Sequence, residues 1–390
     1  MVGQSLPFSQ NTAMIRLILV AIFFLLSLLA VFKAPAYYLW LMAIAVTEYA
    51  LIFSGITFLL LIWGIWHTPY RAAGNIIAFV ALLLYLSPLV RAGFAGSSLR
   101  TEMDIALGST RLQGKDYNLN NPFSITGLLT SQVVLPSESY TYVNYGDLSL
   151  ALDFYRSRVG GRRPCVIVIH GGSWSSGDNK QLPELNANLA EKGYHVAAIN
   201  YRLAPQYQTP SPVEDIANCI RYLKDHSEEL SLDTSRIVLL GRSAGAQIAL
   251  LAAYTLHDPS VIGVIDFYGP ADMVWGYSLP SNPLIMDSRK VMEDYIGGPY
   301  STVPVKYEDC SPIRFVNKLS PPTLIIHGRN DVLVAYEHSR RLDLKLQENG
   351  VKHYWLKLPW ATHGFDYHIN GPGGQLSTFA VETFLKNITN

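Results

Sequence analysis

Between Ile15 and Ala95 the chain is almost entirely apolar and aromatic, whereas from about Arg100 onward charges, prolines and glycines return at the density of an ordinary globular protein. One polypeptide therefore has to satisfy two solvents. A bilayer core roughly 30 Å thick needs about 20 helical residues, because only a backbone hydrogen-bonded within itself is tolerated there. Residues 15–32, 37–66 and 76–90 approach that length, with Lys33-Ala34-Pro35-Ala36 and His67-Thr68-Pro69-Tyr70-Arg71 as connections. Residues 1–99 thus read as a membrane region with about three transmembrane helices, and Trp63, Trp66 and Tyr70 suit an interface. The first run also has the form of a signal peptide, since Arg16 near its start precedes an apolar stretch and Ala34-Pro35-Ala36 imitates a cleavage site. The later runs keep the protein in the membrane in either case. Glu48 falls near the interface if the second span proper is residues 51–66, and then needs no special role. Arg16 and Arg71 lie on one side, Lys33, Arg91 and Arg100 on the other, a bias that puts the C-terminal part in the cytoplasm.

Composition narrows the rest. Thirty basic residues balance thirty acidic ones, and no dense Lys/Arg block supplies a local field, so nucleic acid is excluded as an expected partner. Cys165, Cys219 and Cys310 are too few and too scattered for a disulfide framework, and none has a metal-ligand spacing.

Residues 100–130 have mixed polarity with several Gly and Asn and read as a linker. After it the pattern alternates. Short β-branched runs at residues 166–169, 196–200, 237–240, 261–267 and 324–326 are separated by helix-like stretches at 182–192, 212–223, 244–254 and 337–349. Apolar strands alternating with helices imply a mainly parallel sheet covered on both faces, an α/β domain over residues 131–390. Ligands in such sheets bind beyond the C-terminal ends of the strands.

Four of those loops carry candidate chemistry. Gly241-Arg242-Ser243-Ala244-Gly245 follows one strand and opens an Ala-rich helix. In this setting a serine sits on a sharp turn that lifts its oxygen above the sheet, with Gly241 and Gly245 allowing strand and helix to approach. His170-Gly171-Gly172-Ser173-Trp174 follows another strand, and successive glycines turn N–H groups inward. Gly172, Ser173 and Ala244 are the candidate oxyanion donors; Gly171 supports the turn and His170, placed before it, reads as structural.

A serine hydroxyl needs a base, and the base needs a carboxylate to fix its tautomer. Asp331 lies beyond the strand that ends at His327, and His363 lies in a loop after residues 354–358. Ser243, Asp331, His363 is a known triad order. Asp266 and Asp272 are rival carboxylates at another strand end; His327 reads as a packed histidine and His368 as a surface residue.

From Leu135 to the C-terminus the chain resembles the α/β-hydrolase superfamily, on the elbow, the glycine loop, Asn200-Tyr201-Arg202-Leu203-Ala204-Pro205 and Pro212-Val213-Glu214-Asp215. The last two are similar to segments of the esterase branch related to hormone-sensitive lipase. A third glycine of that branch is Ser173 here, and its acidic residue before the serine is Arg242, both closer to the bacterial feruloyl-esterase and kynurenine-formamidase type. The resemblance implies a serine carboxylesterase with no metal or organic cofactor. It also implies that the long insertion at residues 271–309, with Trp275, Tyr277, Pro280 and Pro283, caps the site through substrate contact or packs its own core.

The sequence therefore points to a membrane-anchored serine hydrolase for a small-molecule or lipid-like ester, with the lipid bilayer as its other partner and the oligomeric state unassigned. Amide hydrolysis, by a peptidase or arylformamidase, uses the same machinery. A non-catalytic sensor on this fold is a third reading. Residues 15–90 hold no catalytic candidate, so they are expected to fix location, and a chain beginning near Thr130 is expected to stay soluble and active.

Overall fold

A computed structural model describes residues 7–65, 70–108, 121–131 and 134–389. Trp66, the connection at residues 67–69 and residues 109–120 of the expected linker lie outside the described residues. Four helices come first: α1 (Pro7–Ser27), α2 (Tyr37–Glu48), α3 (Ala50–Trp63) and α4 (Arg71–Leu107). Next are β1 (Glu138–Asn144), β2 (Ser149–Tyr155), β3 (Arg163–Ile169), α5 (Pro183–Glu191), β4 (His195–Ile199), α6 (Ser211–Asp225) and α7 (Ser227–Leu230). β5 (Leu232–Arg242), α8 (Ala244–Thr255) and β6 (Val261–Phe267) lead to α9 (Met273–Ser278), α10 (Ser288–Ile296) and α11 (Pro304–Asp309). β7 (Thr323–Gly328), α12 (Glu337–Glu348), β8 (His353–Leu358) and α13 (Pro372–Thr389) complete the chain.

The strands form one sheet in the order β1-β2-β4-β3-β5-β6-β7-β8. β3 through β8 pair in parallel, while β1 pairs with β2 and β2 with β4 in antiparallel fashion. This is the α/β-hydrolase arrangement, and the two-residue period of the strands explains its layers. Cys165, Ile167 and Ile169 of β3 share one face with Ile237 and Leu239 of β5 and meet Ile216 of α6, Ile248 of α8 and Leu342 of α12. Val166 and Val168 face the other way with Val238 and Leu240, in a core that includes Leu189 of α5 and Val381, Phe384 and Leu385 of α13.

That second core also contains Ala92, Leu99, Met103 and Leu107 of α4. The linker expected from Arg100 therefore begins as helix: apolar side chains recur at helical spacing and are buried against α13 and β8. A single helix of 37 residues, roughly 55 Å long at 1.5 Å per residue, joins the apolar region to the sheet.

Helices α1, α3 and α4 pack on one another. α1, continued by a short 3-10 turn, and α4 are long and apolar enough to cross a membrane; a third crossing requires α2 and α3 to count as one span, and they are bent by 85°. The described part of the run at residues 37–66 thus contains two helices. α2 buries Trp40, Ala43, Ile44 and Val46, and α3 turns away from it at Tyr49. Glu48, at that bend, is not an idle interfacial carboxylate. It is 1% exposed, and its Oε2 accepts the N–H of Gly373 at 2.8 Å in the first turn of α13. His368 is not a free surface residue either, since its ring stacks on Tyr49 with centroids 4.3 Å apart.

Candidate active site

Ser243 stands between β5 and α8 with φ +54 and ψ −119, a left-handed conformation rare for a residue with a side chain. Its neighbours make the turn possible. A Cβ on Gly241 would collide with the Gly245 carbonyl, and one on Gly245 with the carbonyls of Ile169, the last residue of β3, and His170 just beyond it. The elbow is therefore pressed against the first turn of α8 on one side and the end of β3 on the other, so that only glycine fits at either position.

The structure brings Ser243, His363 and Asp331 together across 120 and 32 residues of sequence. His363 Nε2 is 3.0 Å from Ser243 Oγ, and Nδ1 is 2.7 Å from Asp331 Oδ2. The Asp331 side chain is fully buried, and its Oδ1 accepts the N–H groups of Leu333 and Val334, both at 2.9 Å. Burial alone would raise this carboxyl, but the charge of His363 and hydrogen bonds from His327 and His363 outweigh it and hold the group well below the usual carboxylate range. Asp331 is thus an anion beside an imidazole whose other nitrogen faces a hydroxyl. Such a chain can take the serine proton and stabilise the resulting imidazolium.

Among the described residues neither rival carboxylate is hydrogen-bonded to His363. Asp272 caps α9 by accepting the Trp275 N–H at 3.0 Å and pairs with Arg341 at 2.8 Å. Asp266 accepts the Gly269 N–H at 2.7 Å, and burial pushes its carboxyl up to about 7. His327, fully buried, is 2.7 Å from Ser339 Oγ through Nδ1 and 3.1 Å from Asp331 through Nε2. It packs behind the carboxylate.

On the glycine loop, Gly172, Ser173 and Trp174 all have positive φ, at 123, 53 and 60°. A Cβ on Gly172 would strike the Ser176 carbonyl. Ser173 and Ala244 line the same cavity as Ser243, and among the described residues no acceptor is hydrogen-bonded to their N–H groups. Gly172, the third candidate donor, directly precedes Ser173, and among the described residues no acceptor is hydrogen-bonded to its N–H group either. The Gly171 N–H donates to Gln181 Oε1 at 2.9 Å, and His170 stacks on Tyr201 with centroids 4.3 Å apart. Burial lowers the His170 imidazole. The Arg202 guanidinium and Asp215 carboxylate, from the two further motif segments, pair at 2.8 Å.

The cavity above Ser243 measures about 420 Å³, within the range of small-ligand sites. Residues 271–309 supply much of its lining, including Leu279, Pro280, Ile285, Met286 and Met292. The aromatic residues of that insertion do other work. Tyr277 packs on Tyr307, and Trp275 meets His338 edge-on. His338 of α12 also lines the cavity; burial pushes its imidazole down to about 3. Sequence reasoning missed His338, the Arg242–Asp366 ion pair and the contribution of Lys33, Ala34 and Pro35 to the lining. Only Arg242 left a signal, because an arginine next to a buried elbow demands a carboxylate. Among the described residues no cluster of three His, Cys, Asp or Glu is placed to hold a metal ion.

Fold and site together define an α/β-hydrolase of the serine carboxylesterase type, related to the hormone-sensitive-lipase branch. Residues 152–346 match the BD-FAE family, and the chain belongs to it. It is 28% identical to the probable carboxylic ester hydrolase LipM of Mycobacterium tuberculosis, over 90% of this chain and 86% of that protein. The similarity therefore reaches well upstream of Leu135. Esterase LipC of the same organism is 29% identical over 58% of each chain. The hyperthermophilic esterase of Pyrobaculum calidifontis shares the fold with a TM-score of 0.58 at 20% identity, covering 78% of this chain and 98% of its own. The protein is a carboxylic ester hydrolase.

Proposed function

We propose that this esterase is held in a membrane by α1, α3 and α4 and cleaves its ester through Ser243, His363 and Asp331. The observation that carries the catalytic reading is the unbroken hydrogen-bond chain from Ser243 Oγ through His363 to Asp331 beside the cavity. Ser243 Oγ attacks the ester carbonyl as its proton passes to His363 Nε2, and the oxyanion meets the N–H groups of Gly172, Ser173 and Ala244. The carbon–oxygen bond to the alcohol then breaks, and His363 returns the proton to the leaving oxygen. Water, deprotonated by His363, hydrolyses the acyl-serine and restores the enzyme.

The membrane reading rests on an inside-out distribution. Ile15, Ile18, Ile22 and Leu25 on α1, Ile52, Ile56 and Leu59 on α3, and Ile76, Phe79 and Leu83 on α4 are exposed. Arg16, Ser54 and Thr57 are buried between the helices. Arg16 donates to the Leu60 carbonyl and Asn75 at the end of the bundle remote from the sheet, while Arg91 donates to the Ala30 carbonyl at the near end. With Lys33 and Arg100 also at the near end, the positive bias favours a cytoplasmic hydrolase domain.

A fluorophosphonate probe tests the nucleophile. Wild-type protein should be labelled, whereas Ser243→Ala should melt as the wild type does, resist labelling and lose at least ~10³-fold in turnover. Labelling that persists in Ser243→Ala assigns the nucleophile elsewhere. Release of the full chain from membranes by alkaline carbonate would remove the anchoring half of the reading.

A further inference from the structure

The cavity is not closed by hydrolase elements alone. Lys33, Ala34 and Pro35, from the connection between α1 and α2, line it together with Ser173 and Ser243. That connection is fastened to two parts of the site. Asn330, the residue before Asp331, donates its Nδ2 to the Val31 carbonyl at 3.1 Å. Asn282 of the insertion donates to the Pro35 carbonyl at 3.0 Å, and the Tyr37 N–H donates to the Leu284 carbonyl at 3.1 Å. Val332 and Leu333, just after Asp331, pack against the cluster that contains Leu29, Ala34 and Trp40.

Helix α2 then grips the loop of the base. The Trp40 indole is 6% exposed, and its Nε1 donates to the backbone carbonyl of His363 at 2.9 Å in a buried hydrogen bond. One turn on, Ile44 Cδ1 stands 3.3 Å from where a Cβ of Gly364 would be. At the far end Glu48 holds Gly373. The segment from His363 to Gly373 is therefore fixed at its start and its finish by one helix. His363 must keep Nε2 on Ser243 and Nδ1 on Asp331 at once, and a displacement of about 1 Å in such a group can cost ~100-fold in rate.

We propose that residues 31–48 are a working part of the active site, with Trp40 as the positioning residue of His363 and residues 33–35 as one wall of the substrate cavity. The inference rests on the triad reading above. Ala34 and Pro35 line the cavity together with the apolar Leu279, Ile285 and Met286, and the exposed Lys33 lines it beside them. The wall thus suits an amphipathic ester with an apolar acyl or alkyl chain, met where the helical bundle joins the hydrolase.

The test uses the full chain in detergent with a water-soluble ester. Trp40→Phe keeps a ring and removes the N–H. It should melt cooperatively, lose ~10-fold or more in kcat with KM within about twofold, and react more slowly with the phosphonate. The acid limb of its pH–rate profile should move, which a packing defect alone would not produce. A kcat within twofold of wild type and an unmoved profile overturn the positioning role. If Trp40→Phe does not melt cooperatively, Pro35→Trp carries the test. It should lower the rate on a long-chain ester at least fivefold relative to an acetate ester, and an unchanged ratio overturns the wall. Failure of the triad reading is seen separately, as phosphonate labelling that survives Ser243→Ala.

Discussion

Arg242, the residue before the elbow serine, donates its Nε to Asp366 Oδ2 at 2.6 Å, and Asp366 stands three residues after His363. Both side chains are almost completely buried, at 3 and 5% exposure, and Tyr268 donates its hydroxyl to the other carboxylate oxygen. One ion pair thus ties the loop of Ser243 to the loop of His363 from beneath. Cutting one partner of a buried pair leaves an uncompensated charge, which typically costs about 3–5 kcal/mol. Arg242→Met should therefore lower the melting temperature sharply, and Arg242→Met with Asp366→Asn should recover part of the loss. A double variant no more stable than Arg242→Met would show that the two groups are not coupled.

Asp331 holds four hydrogen bonds, two from backbone N–H groups and two from histidines. Asp331→Asn should keep the turn, because an amide oxygen can still accept from Leu333 and Val334. It should also favour the wrong tautomer of His363 and cut kcat by roughly 10²–10⁴ with little change in KM. Equal damage from Asp272→Asn, whose carboxylate is engaged with Arg341, would move the orienting role to that residue.

The Asp266 carboxyl gives a pH signature unrelated to catalysis. Burial pushes it up to about 7, above the value near 3.9 expected in an unfolded chain. The folded state then keeps a proton that the unfolded state has lost, so its contribution to stability is present below about pH 4 and falls as the pH rises toward 7. Asp266→Asn removes that slope. The melting temperature of the variant, relative to wild type, should be higher at pH 8 than at pH 5, and a difference independent of pH would show that Asp266 titrates normally.

Gly172 leaves no room for a side chain on the loop that carries Ser173. Its φ of 123° is strained for any side chain, and a Cβ there meets the Ser176 carbonyl. Gly172→Ala should reduce kcat more than it raises KM, because the loop must move to admit the methyl and carries Ser173 with it. Full activity in the variant would release Ser173 from the oxyanion role.

The sheet and the site were legible to different degrees, for physical reasons. β3 to β7 read clearly because strands buried on both faces carry near-continuous apolar runs, whereas β8, at the sheet edge with Lys357 exposed, is apolar only in part. β1, with most of its residues exposed, carries no such run. The candidates Ser243, Asp331 and His363, which the fold brings into one hydrogen-bonded chain, stood out because each follows a strand end, where local pattern and chain order mark it. Trp40 and Glu48 were not. Their partners lie 323 and 325 residues away, and nothing in an apolar run marks which indole or carboxylate will turn inward. The same blindness made residues 15–90 look like a detachable anchor.

A chain shortened to begin near Thr130 tests that separation. It would lose α4, and with it Ala92, Leu99, Met103 and Leu107 from the core that covers Val166, Val238, Leu324 and Leu356. Burying each of the three larger side chains is worth about 1.5–3 kcal/mol, so their removal takes away a large share of the 5–15 kcal/mol that typically holds a domain together. The face uncovered on α13 and β8 would be apolar and exposed. The shortened chain should therefore lack a cooperative melt or associate through that face, and should hydrolyse a small ester far more slowly than the full chain does in detergent. A monomeric, cooperatively melting chain with the full-length kcat would show that the sheet closes without α4 and that His363 holds its place without Trp40.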